Sequence, residues 1–523
     1  MKNRLLPLLF LPALVVFASN PSAVAQNSTW LLDPVSSDWN TNANWTANVP
    51  YDTATFDVSH NPQVFVSLFL TGVNRIVFSP GASSFDISVL AHSTLDFSGE
   101  GIVNNSGIVQ NFRSSRGEDG FQGEFIFLSH ATAGDHTTFT TVGGATGDLQ
   151  FQVNSNAGKA TIVNQGSTTE SGPLGVTGFF NQSNAKQAVI TNQGGQASGA
   201  GGGLTLFAST ARASDAVITG QGSGVAGGLG GRLEFYDDSS ADAATLIAEA
   251  GANGGGGGEI HFFDRARGQT ATVKLFGNGF LDVTFLEAQA TIGSLEGDGH
   301  VLLLNTLNIG SNNLSTNFSG LLEENPGFGP GAIKKIGRGT LTLAGANTYT
   351  GGTIISGGRL LVENSSGSAT GAGAVQVSAG TLGGSGIISG PVIVGTGNGV
   401  AVLAPAVGTG KQATLKVEST LIFNSDASYI YTFKARPNAA RTDRVIANGV
   451  TINEGASMDL SGQTQGTLTQ GTVYPVITNT SASAIDGTFI NLPDGGIVNV
   501  NGNNLQASYS GGDGNDLTLT VVP

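Results

Sequence analysis

The feature that most restricts the fold of this sequence is an internal repeat with a period of about 28 residues. Similar β-branched segments begin at five regularly spaced alanines: Ala160, Ala188, Ala216, Ala244 and Ala271. A phenylalanine stands nine residues before each alanine, at Phe151, Phe179, Phe207, Phe235 and Phe262. This period predicts a stacked repeat in which each copy forms one turn of a solenoid and equivalent side chains form interior ladders.

The composition agrees with short strands joined by tight turns. Glycine accounts for 79 of 523 residues, which is about twice the usual share, and tight turns need residues that tolerate positive φ. Between residues 64 and 108, short β-rich segments alternate apolar and polar side chains between Gly, Ser and Pro breaks. We therefore predict an all-β protein, a right-handed parallel β-helix of the pectin-lyase type with an N-terminal cap.

Residues 333–362 contain a second regular pattern, in which Leu341 and Leu343 alternate with threonines on a predicted strand. We expect this segment to form one solenoid turn of three strands. The pattern is carried by Gly339, Leu341, Leu343, Gly345, Asn347, Thr348, Tyr349, Gly351, Gly352, Thr353, Ile355, Gly358 and Leu360. It resembles the autotransporter-associated β-strand repeat, also called the passenger-associated transport repeat, of bacterial secreted passenger domains. The resemblance implies a β-solenoid and export from the cell, and it implies no particular reaction.

The sequence after this segment predicts further short strands. Val375, Thr381, Ile387 and Ile393 are six residues apart, which we interpret as one very short strand per turn. Autotransporters of this kind carry a translocator barrel of alternating strands after the passenger. No such barrel pattern precedes Pro523, so we expect the protein to need a separate export route.

Residues 1–25 have the pattern of a Sec signal peptide. Lys2 and Arg4 precede an apolar run from Leu5 to Ala18, and small residues end at Ala25. We predict cleavage after Ala25 and a secreted or cell-surface location, outer-membrane associated or extracellular. No later apolar run is long enough for a transmembrane helix, so we expect no transmembrane segment in the mature chain.

Three tryptophans, Trp30, Trp39 and Trp45, lie close together near the predicted N-terminus of the mature chain. Large amphipathic rings could cover the open end of a solenoid. The alternative is a platform on which carbohydrate rings stack. We favour the cap.

We divide the chain into five sections on composition and pattern. Residues 1–25 are the signal peptide and residues 26–115 the cap with the first turns. Residues 116–300 carry the 28-residue repeats, and residues 301–410 carry the segment at 333–362. Residues 411–523 have longer alternating strands and form a C-terminal β-rich, passenger-like section.

Motif searches predict no catalytic, cofactor-binding or metal-binding residues. Gly410-Lys411 lacks the Ser or Thr that a P-loop requires. His130 and His136 have no third ligand at zinc spacing, and the chain has no Cys. Gly511 to Leu519 matches one copy of a calcium-binding nonapeptide, which alone leaves the coordination shell incomplete; we interpret it as a turn before a final strand.

One acidic pattern supports an enzymatic alternative. Asp237 and Asp238 lie about one repeat before Asp264 and Arg265, and stacking of turns would bring these carboxylates together, as in solenoid polysaccharide lyases. A solvated charged edge explains the same residues more simply.

The formal charge of −15 and the absence of a basic, aromatic-rich patch exclude nucleic acid as the partner. The sequence therefore predicts an exported, non-enzymatic, adhesin-like scaffold of a Gram-negative-type bacterium, with no cofactor. Its partners would be extracellular or cell-surface ligands, either glycan or protein. The alternatives are a β-helical polysaccharide-degrading enzyme and a carbohydrate-binding surface protein.

Overall fold

The computed structural model describes residues 26–143, 148–287, 289–397, 399–407, 411–437 and 439–523. The predicted signal peptide, residues 1–25, lies outside the described residues. Two compact units make up the chain. The first extends to Ser240 and includes Gly251–Gly258, and the second comprises Ala241–Ala250 and Glu259–Pro523. The division into five sections stays a prediction.

The first unit is a stack of short parallel strands with one 3-10 turn, Asn42–Asn44. Its strands are β1 (Ser28–Thr29), β2 (Thr53–Phe56), β3 (Gln63–Val66), β4 (Thr71–Phe78), β5 (Asp86–Val89), β6 (Thr94–Asn104), β7 (Gln110–Ser114), β8 (Glu124–Phe127), β9 (Thr137–Thr141), β10 (Leu149–Phe151), β11 (Thr161–Asn164), β12 (Val176–Phe179), β13 (Val189–Asn192), β14 (Leu204–Phe207), β15 (Val217–Gly220) and β16 (Arg232–Phe235).

The strands of the second unit are β17 (Thr245–Ala248), β18 (Glu259–Asp264), β19 (Thr272–Leu275), β20 (Phe280–Leu286), β21 (Ala290–Ile292), β22 (Ser294–Gly297), β23 (His300–Leu303), β24 (Asn305–Ile309), β25 (Thr316–Phe318), β26 (Leu321–Glu324), β27 (Gly331–Lys335), β28 (Thr340–Leu343), β29 (Thr353–Ile355), β30 (Arg359–Val362), β31 (Val375–Val377), β32 (Gly380–Gly384), β33 (Ile387–Ile388), β34 (Val392–Val394), β35 (Ala401–Leu403), β36 (Thr414–Val417), β37 (Leu421–Phe423), β38 (Ala427–Arg436), β39 (Ala439–Thr442), β40 (Arg444–Ala447), β41 (Val450–Ile452), β42 (Ser457–Thr464), β43 (Val473–Asn479), β44 (Ile497–Val500), β45 (Asn503–Gly511) and β46 (Asp516–Val522).

The prediction of an all-β parallel solenoid is confirmed, with about 16 turns in the described residues. In the first unit, even-numbered strands from β2 to β16 form one parallel sheet and odd-numbered strands from β3 to β15 form another. The 28-residue period is the length of one turn, because Thr161 pairs with Val189 and Val189 with Val217. Each strand therefore meets its own repeat on the next turn.

Aromatic ladders fill the interior of the first unit, as the repeat predicts. Phe151, Phe179, Phe207 and Phe235 are fully buried, and successive rings stack with centroids 4.8, 4.7 and 4.9 Å apart. This spacing equals the distance between neighbouring strands of a sheet. The ladder continues backwards to Phe127, whose ring centroid lies 4.9 Å from that of Phe151.

The repeats also contain glycine-rich inserts, for example residues 199–203 and 254–258. These inserts stack on one another. Gly199 N donates to Gly227 O at 2.9 Å, and Gly227 N donates to Gly254 O at 3.1 Å. A Cβ atom on Gly230 would overlap the backbone oxygen of Gly257. Glycine is therefore required here by the close approach of backbones on successive turns.

The turns around residues 333–394, in the second unit, are shorter than the 28-residue turns of the first unit. Ile333 pairs with Thr353 and Leu341 with Leu360, so a turn spans far fewer residues here than in the first unit. The segment 333–362 thus contributes strands to two successive turns, and its interpretation as one three-strand turn was wrong. Val375 pairs with Val392, which makes the next turn shorter still. The residues spaced by six lie on β31, β32, β33 and β34, of which β31 and β34 pair on successive turns. One turn therefore carries three such strands, and the interpretation of one very short strand per turn was wrong.

The end of the second unit changes to antiparallel pairing. β43, β46, β45 and β44 are neighbours in that order, each pair antiparallel. β39 also runs antiparallel to β38, while β38 pairs in parallel with β35 and β42. β38 thus pairs with β42 along one side, and with β35 and then β39 along the other.

Candidate functional site

The outer surface of strands β18, β20, β23 and β26, in the second unit, carries acidic, imidazole and aromatic side chains. Along β18, Ile260 and Phe262 point into the core, so Glu259, His261 and Phe263 point outward. The parallel register places Asp282 next to His261 and Phe280 next to Glu259. We call this surface, with His300, Glu323, Phe285 and Phe328, the histidine–phenylalanine face.

The imidazole of His261 is held between two carboxylates. Its Nε2 lies 2.9 Å from Oε2 of Glu259, and its Nδ1 lies 3.9 Å from Oδ2 of Asp282. Because a carboxylate oxygen only accepts, Nε2 donates the first of these bonds. The three side chains are only 15, 21 and 8% exposed. The ring is therefore fixed in orientation before any ligand arrives.

Aromatic rings surround this polar group. The ring of Phe263 is nearly parallel to that of His261, with centroids 5.8 Å apart, and Phe280 meets the imidazole edge-on at 5.4 Å. Phe285 lies beside Phe263 at 5.8 Å, and Phe328 meets Phe285 edge-on at 5.6 Å. Phe285 and Phe328 are 48 and 46% exposed. Exposed aromatic rings in such a row are available to an external ligand.

A second histidine–carboxylate pair lies further along the same sheet. His300 follows Phe280 in register, and its Nδ1 lies 3.3 Å from Oε1 of Glu323. The face thus alternates hydrogen-bonding groups with apolar rings. This combination suits a ligand that has both hydroxyl groups and apolar C–H surfaces, such as a sugar. Among the residues that the structure describes, no group of three or more His, Cys, Asp or Glu could hold a metal ion.

Sequence patterns did not predict this face. His261 and Asp282 are adjacent in space because the turn from β18 to β20 spans 21 residues (282 − 261), so the 28-residue period does not align them. The available signal was the alternation of Glu259, His261 and Phe263 on a predicted strand.

The three tryptophans form a buried cap. Trp30, Trp39 and Trp45 are 1, 0 and 3% exposed. The ring of Trp45 meets those of Trp30 and Trp39 at 5.1 and 5.0 Å, and its Nε1 donates to the backbone oxygen of Trp39 at 2.7 Å. Buried rings offer no surface to a sugar, so the platform hypothesis for these tryptophans is wrong.

The calcium-like segment is a hairpin turn. Gly511 pairs with Asp516 across β45 and β46, which are antiparallel. Oδ1 of Asp516 accepts from Asn479 N at 2.9 Å, so this carboxylate holds the neighbouring strand. The interpretation of Gly511 to Leu519 as a turn before the final strand is confirmed.

The acidic residues of the enzymatic alternative lie in different units. Asp237 and Asp238 belong to the first unit, and Oδ2 of Asp237 accepts from Ser209 N at 2.7 Å. Asp264 and Arg265 belong to the second unit, where Arg265 lies 3.8 Å from Glu287. Gly410 lies outside the described residues.

The segment 333–362 owes its pattern to contacts between turns. Asn347 is buried; its Nδ2 donates to Ala369 O at 2.6 Å and its Oδ1 accepts from Leu322 N at 2.8 Å. The buried Tyr349 hydroxyl lies 2.7 Å from Oγ1 of Thr353, and burial raises the pKa of Tyr349 above its ordinary value. A Cβ atom on Gly345 would overlap the backbone oxygen of Gly320. These positions therefore hold successive turns together.

Lys335, in the same segment, is also a structural group. It is 1% exposed, and its Nζ donates to Ile336 O at 2.6 Å and Gly357 O at 3.4 Å. Burial lowers the pKa of Lys335 to about 8. The backbone oxygens partly compensate the buried charge.

Comparison with known proteins bears on this segment alone. The family model described as the passenger-associated transport repeat matches residues 333–362. No curated protein matches the chain. The repeat indicates an autotransporter passenger-type protein that is secreted or displayed at the surface. No helix in the described part of the chain is long and apolar enough to cross a membrane.

Proposed function

We propose that this protein is an exported, non-enzymatic, adhesin-like scaffold of a Gram-negative-type bacterium, and that it binds glycans through the histidine–phenylalanine face. The observation that carries the proposal is the row formed by Phe263, Phe285 and Phe328 beside the His261 carboxylate pairs. Rings take the apolar side of a sugar, and the carboxylates and imidazoles take its hydroxyl groups.

The passenger-associated transport repeat supports the location of the scaffold. A parallel solenoid keeps one face of each sheet outward over many turns, so binding groups on successive strands form an extended surface. A surface of this kind suits a long or repeated ligand, whose weak contacts add along its length.

The location is tested by treating intact cells of the native bacterium with an external protease. The proposal predicts that the protein is removed from the cells or found in the medium, while a periplasmic marker stays intact. Full protection of the protein together with that marker would refute a surface role.

An enzymatic role in polysaccharide degradation is the second candidate, and the fixed imidazole of His261 favours it. Histidine is a common general acid or base when a carboxylate orients it. The purified protein would be incubated with polygalacturonate and xylan, with and without calcium, and new chain ends measured. Activity that His261→Gln or Asp264→Ala abolishes would replace the non-enzymatic proposal.

A further inference from the structure

The hairpin of β38 and β39 concentrates positive charge on one face. Residues of β38 alternate along the strand, with Tyr431, Phe433 and Ala435 buried and Lys434 and Arg436 exposed. Arg441 on β39 is the register partner of Lys434. Directly opposite residues of an antiparallel pair point to the same side. Lys434, Arg436 and Arg441 therefore share one exposed face, which we call the basic hairpin.

No carboxylate balances these cations within the described part of the chain. None of the three makes an ion pair there. On the other side of Lys434, the register partner on β42 is the neutral Gln463. The nearest acid along β42 is Asp459, four residues away, which is about 13 Å along a strand.

This arrangement is unfavourable for the folded protein taken alone. Like charges directly opposite each other across two strands destabilise the pair. The chain as a whole is acidic, with a formal charge of −15, so carboxylates were available to pair with these cations. An anionic ligand would remove the repulsion.

A cleft of about 360 Å³ adjoins the basic hairpin. Its lining includes Arg436, Ala439, Thr469, Thr472 and Tyr474. The hydroxyls of Thr469 and Thr472 donate to the backbone oxygens of Pro437 and Thr469 at 2.8 and 2.7 Å. Their oxygens keep lone pairs that can accept from ligand hydroxyls. Arg436 therefore lines the same cleft as the hydroxyl groups of Thr469 and Thr472.

We propose that the basic hairpin and its cleft form a binding site for an acidic polysaccharide, one that carries carboxylate or sulfate groups. The cations would bind the anionic groups, and the threonines would bind sugar hydroxyls. Three cations in an acidic chain give too little attraction for a nucleic acid backbone. The inference goes beyond the proposed function, because it assigns a second site, with a different ligand charge, to residues that are not part of the histidine–phenylalanine face.

The test measures binding of the purified protein to polygalacturonate and dextran sulfate by isothermal titration calorimetry at low salt. Neutral dextran and a DNA duplex serve as comparison ligands. The triple variant Lys434→Gln, Arg436→Gln and Arg441→Gln removes the site. The matched control, Lys334→Gln, Arg338→Gln and Arg359→Gln, removes the same charge from exposed or half-exposed positions on β27, on the turn after it and on β30.

We expect binding of at least one acidic polysaccharide, a loss of affinity of tenfold or more in the site variant, and little change in the control. Circular dichroism checks that both variants remain folded. The inference is overturned by no binding of either acidic polysaccharide, by equal losses in the two variants, or by dextran binding as tightly. Binding of the DNA duplex alone would also overturn it.

Discussion

The side-chain amide of Asn164 donates a 2.6 Å hydrogen bond to the side-chain oxygen of Asn192, its register partner on the next turn. Both side chains are fully buried. Oδ1 of Asn192 also accepts from Oγ1 of Thr205 at 2.8 Å, and its Nδ2 donates to Arg232 O at 2.8 Å. Alternating apolar side chains already oppose a shift of one residue, because it would turn them outward. A shift of two residues keeps the apolar side chains inside but leaves the buried amides unpaired, so the ladder helps to fix the register.

Replacement of Asn192 by Ala should therefore destabilise the first unit. It removes the oxygen that accepts from Asn164 and Thr205 and the amide that donates to the Arg232 carbonyl. At this buried site we expect a cost of about 2–3 kcal/mol. Chemical denaturation followed by circular dichroism measures the loss. Gln187→Ala, at an exposed position of the same repeat, is the control and should change the midpoint little. Equal stability of both variants would contradict the role of the ladder.

Asn347→Ala tests the passenger-associated transport repeat. The substitution leaves Leu322 N and Ala369 O without the buried amide that joins them, and we expect a loss of about 2–3 kcal/mol. Asn347→Asp should also destabilise, because a carboxylate can accept from Leu322 but faces the Ala369 oxygen. Thermal unfolding would compare both with Ser365→Ala, an exposed change three residues after that segment. A neutral effect of Asn347→Ala would show that the amide does not hold the turns together.

Asp96→Asn should alter the pH dependence of stability. Asp96 is 2% exposed, and its Oδ1 has no hydrogen-bond partner in the described residues. Burial, together with the nearby Glu124 carboxylate, raises the pKa of Asp96 to about 7. Unfolded Asp has a pKa of about 3.9, so between about pH 4 and 7 the folded protein binds more protons. The free energy of unfolding therefore decreases as the pH rises through this window.

The variant lacks this titration, so we expect its stability relative to wild type to increase by about 2 kcal/mol between pH 5 and 8. Urea denaturation at both pH values measures the difference. Asp459→Asn, at an exposed site, should show no such change. Asp148 should also lower the free energy of unfolding as the pH rises through this window. Burial raises the pKa of Asp148 to about 7, although Val176 N, Ser114 and Gly143 N donate hydrogen bonds to its carboxylate. A constant difference between wild type and Asp96→Asn across this range would refute the assignment.

Removal of the exposed rings should abolish glycan binding at the histidine–phenylalanine face. The double variant Phe285→Ala and Phe328→Ala deletes the two most exposed rings of the face, and we expect at least a tenfold loss of affinity for a bound neutral oligosaccharide. Titration calorimetry with xylohexaose and cellohexaose provides the measurement. Phe276→Ala, which removes a 40% exposed ring elsewhere in the second unit, should bind normally. If the wild-type protein binds neither xylohexaose nor cellohexaose, the histidine–phenylalanine face is not a site for these neutral oligosaccharides.

Lys434→Glu should raise stability and lower polyanion binding at the same time. It replaces the repulsion from Arg441 with an attraction across the strands, which is worth about 0.5 kcal/mol. Thermal unfolding and titration with polygalacturonate measure the two effects on one sample. Lys334→Glu makes the same charge change on β27 and should affect neither strongly. A drop in stability for Lys434→Glu would show that the like charges are not in conflict.

The sequence predicted the parts of the fold that repeat. Phe151 and Phe179 are one period apart and stack because parallel turns bring equal positions together. The segment 333–362 was recognised from its glycines, Asn347 and Tyr349, which serve contacts between turns. The short turns around residues 333–394 were not predicted, because their length changes from 20 residues (353 − 333) to 17 (392 − 375) and so leaves no constant period in the sequence.

The two candidate binding sites were beyond the reach of sequence patterns for a related reason. Asp282 lies beside His261 because this turn spans 21 residues (282 − 261) instead of about 28. Lys434 and Arg441 meet only because the chain reverses within a largely parallel sheet. Periodicity predicts where equivalent residues lie, and it carries no information about contacts that arise where the period is broken.

The equal register on both sides of each strand in the first unit has an evolutionary consequence. Val189 pairs with Thr161 on one side and with Val217 on the other. Each of these residues occupies the same position in its repeat, so any one turn could pair with any other in the same register. Excision or duplication of one whole repeat would join partners that already match. Recombination between copies of the repeat within the gene can therefore lengthen or shorten this unit by whole turns, while the cap and the two proposed binding surfaces keep their own residues.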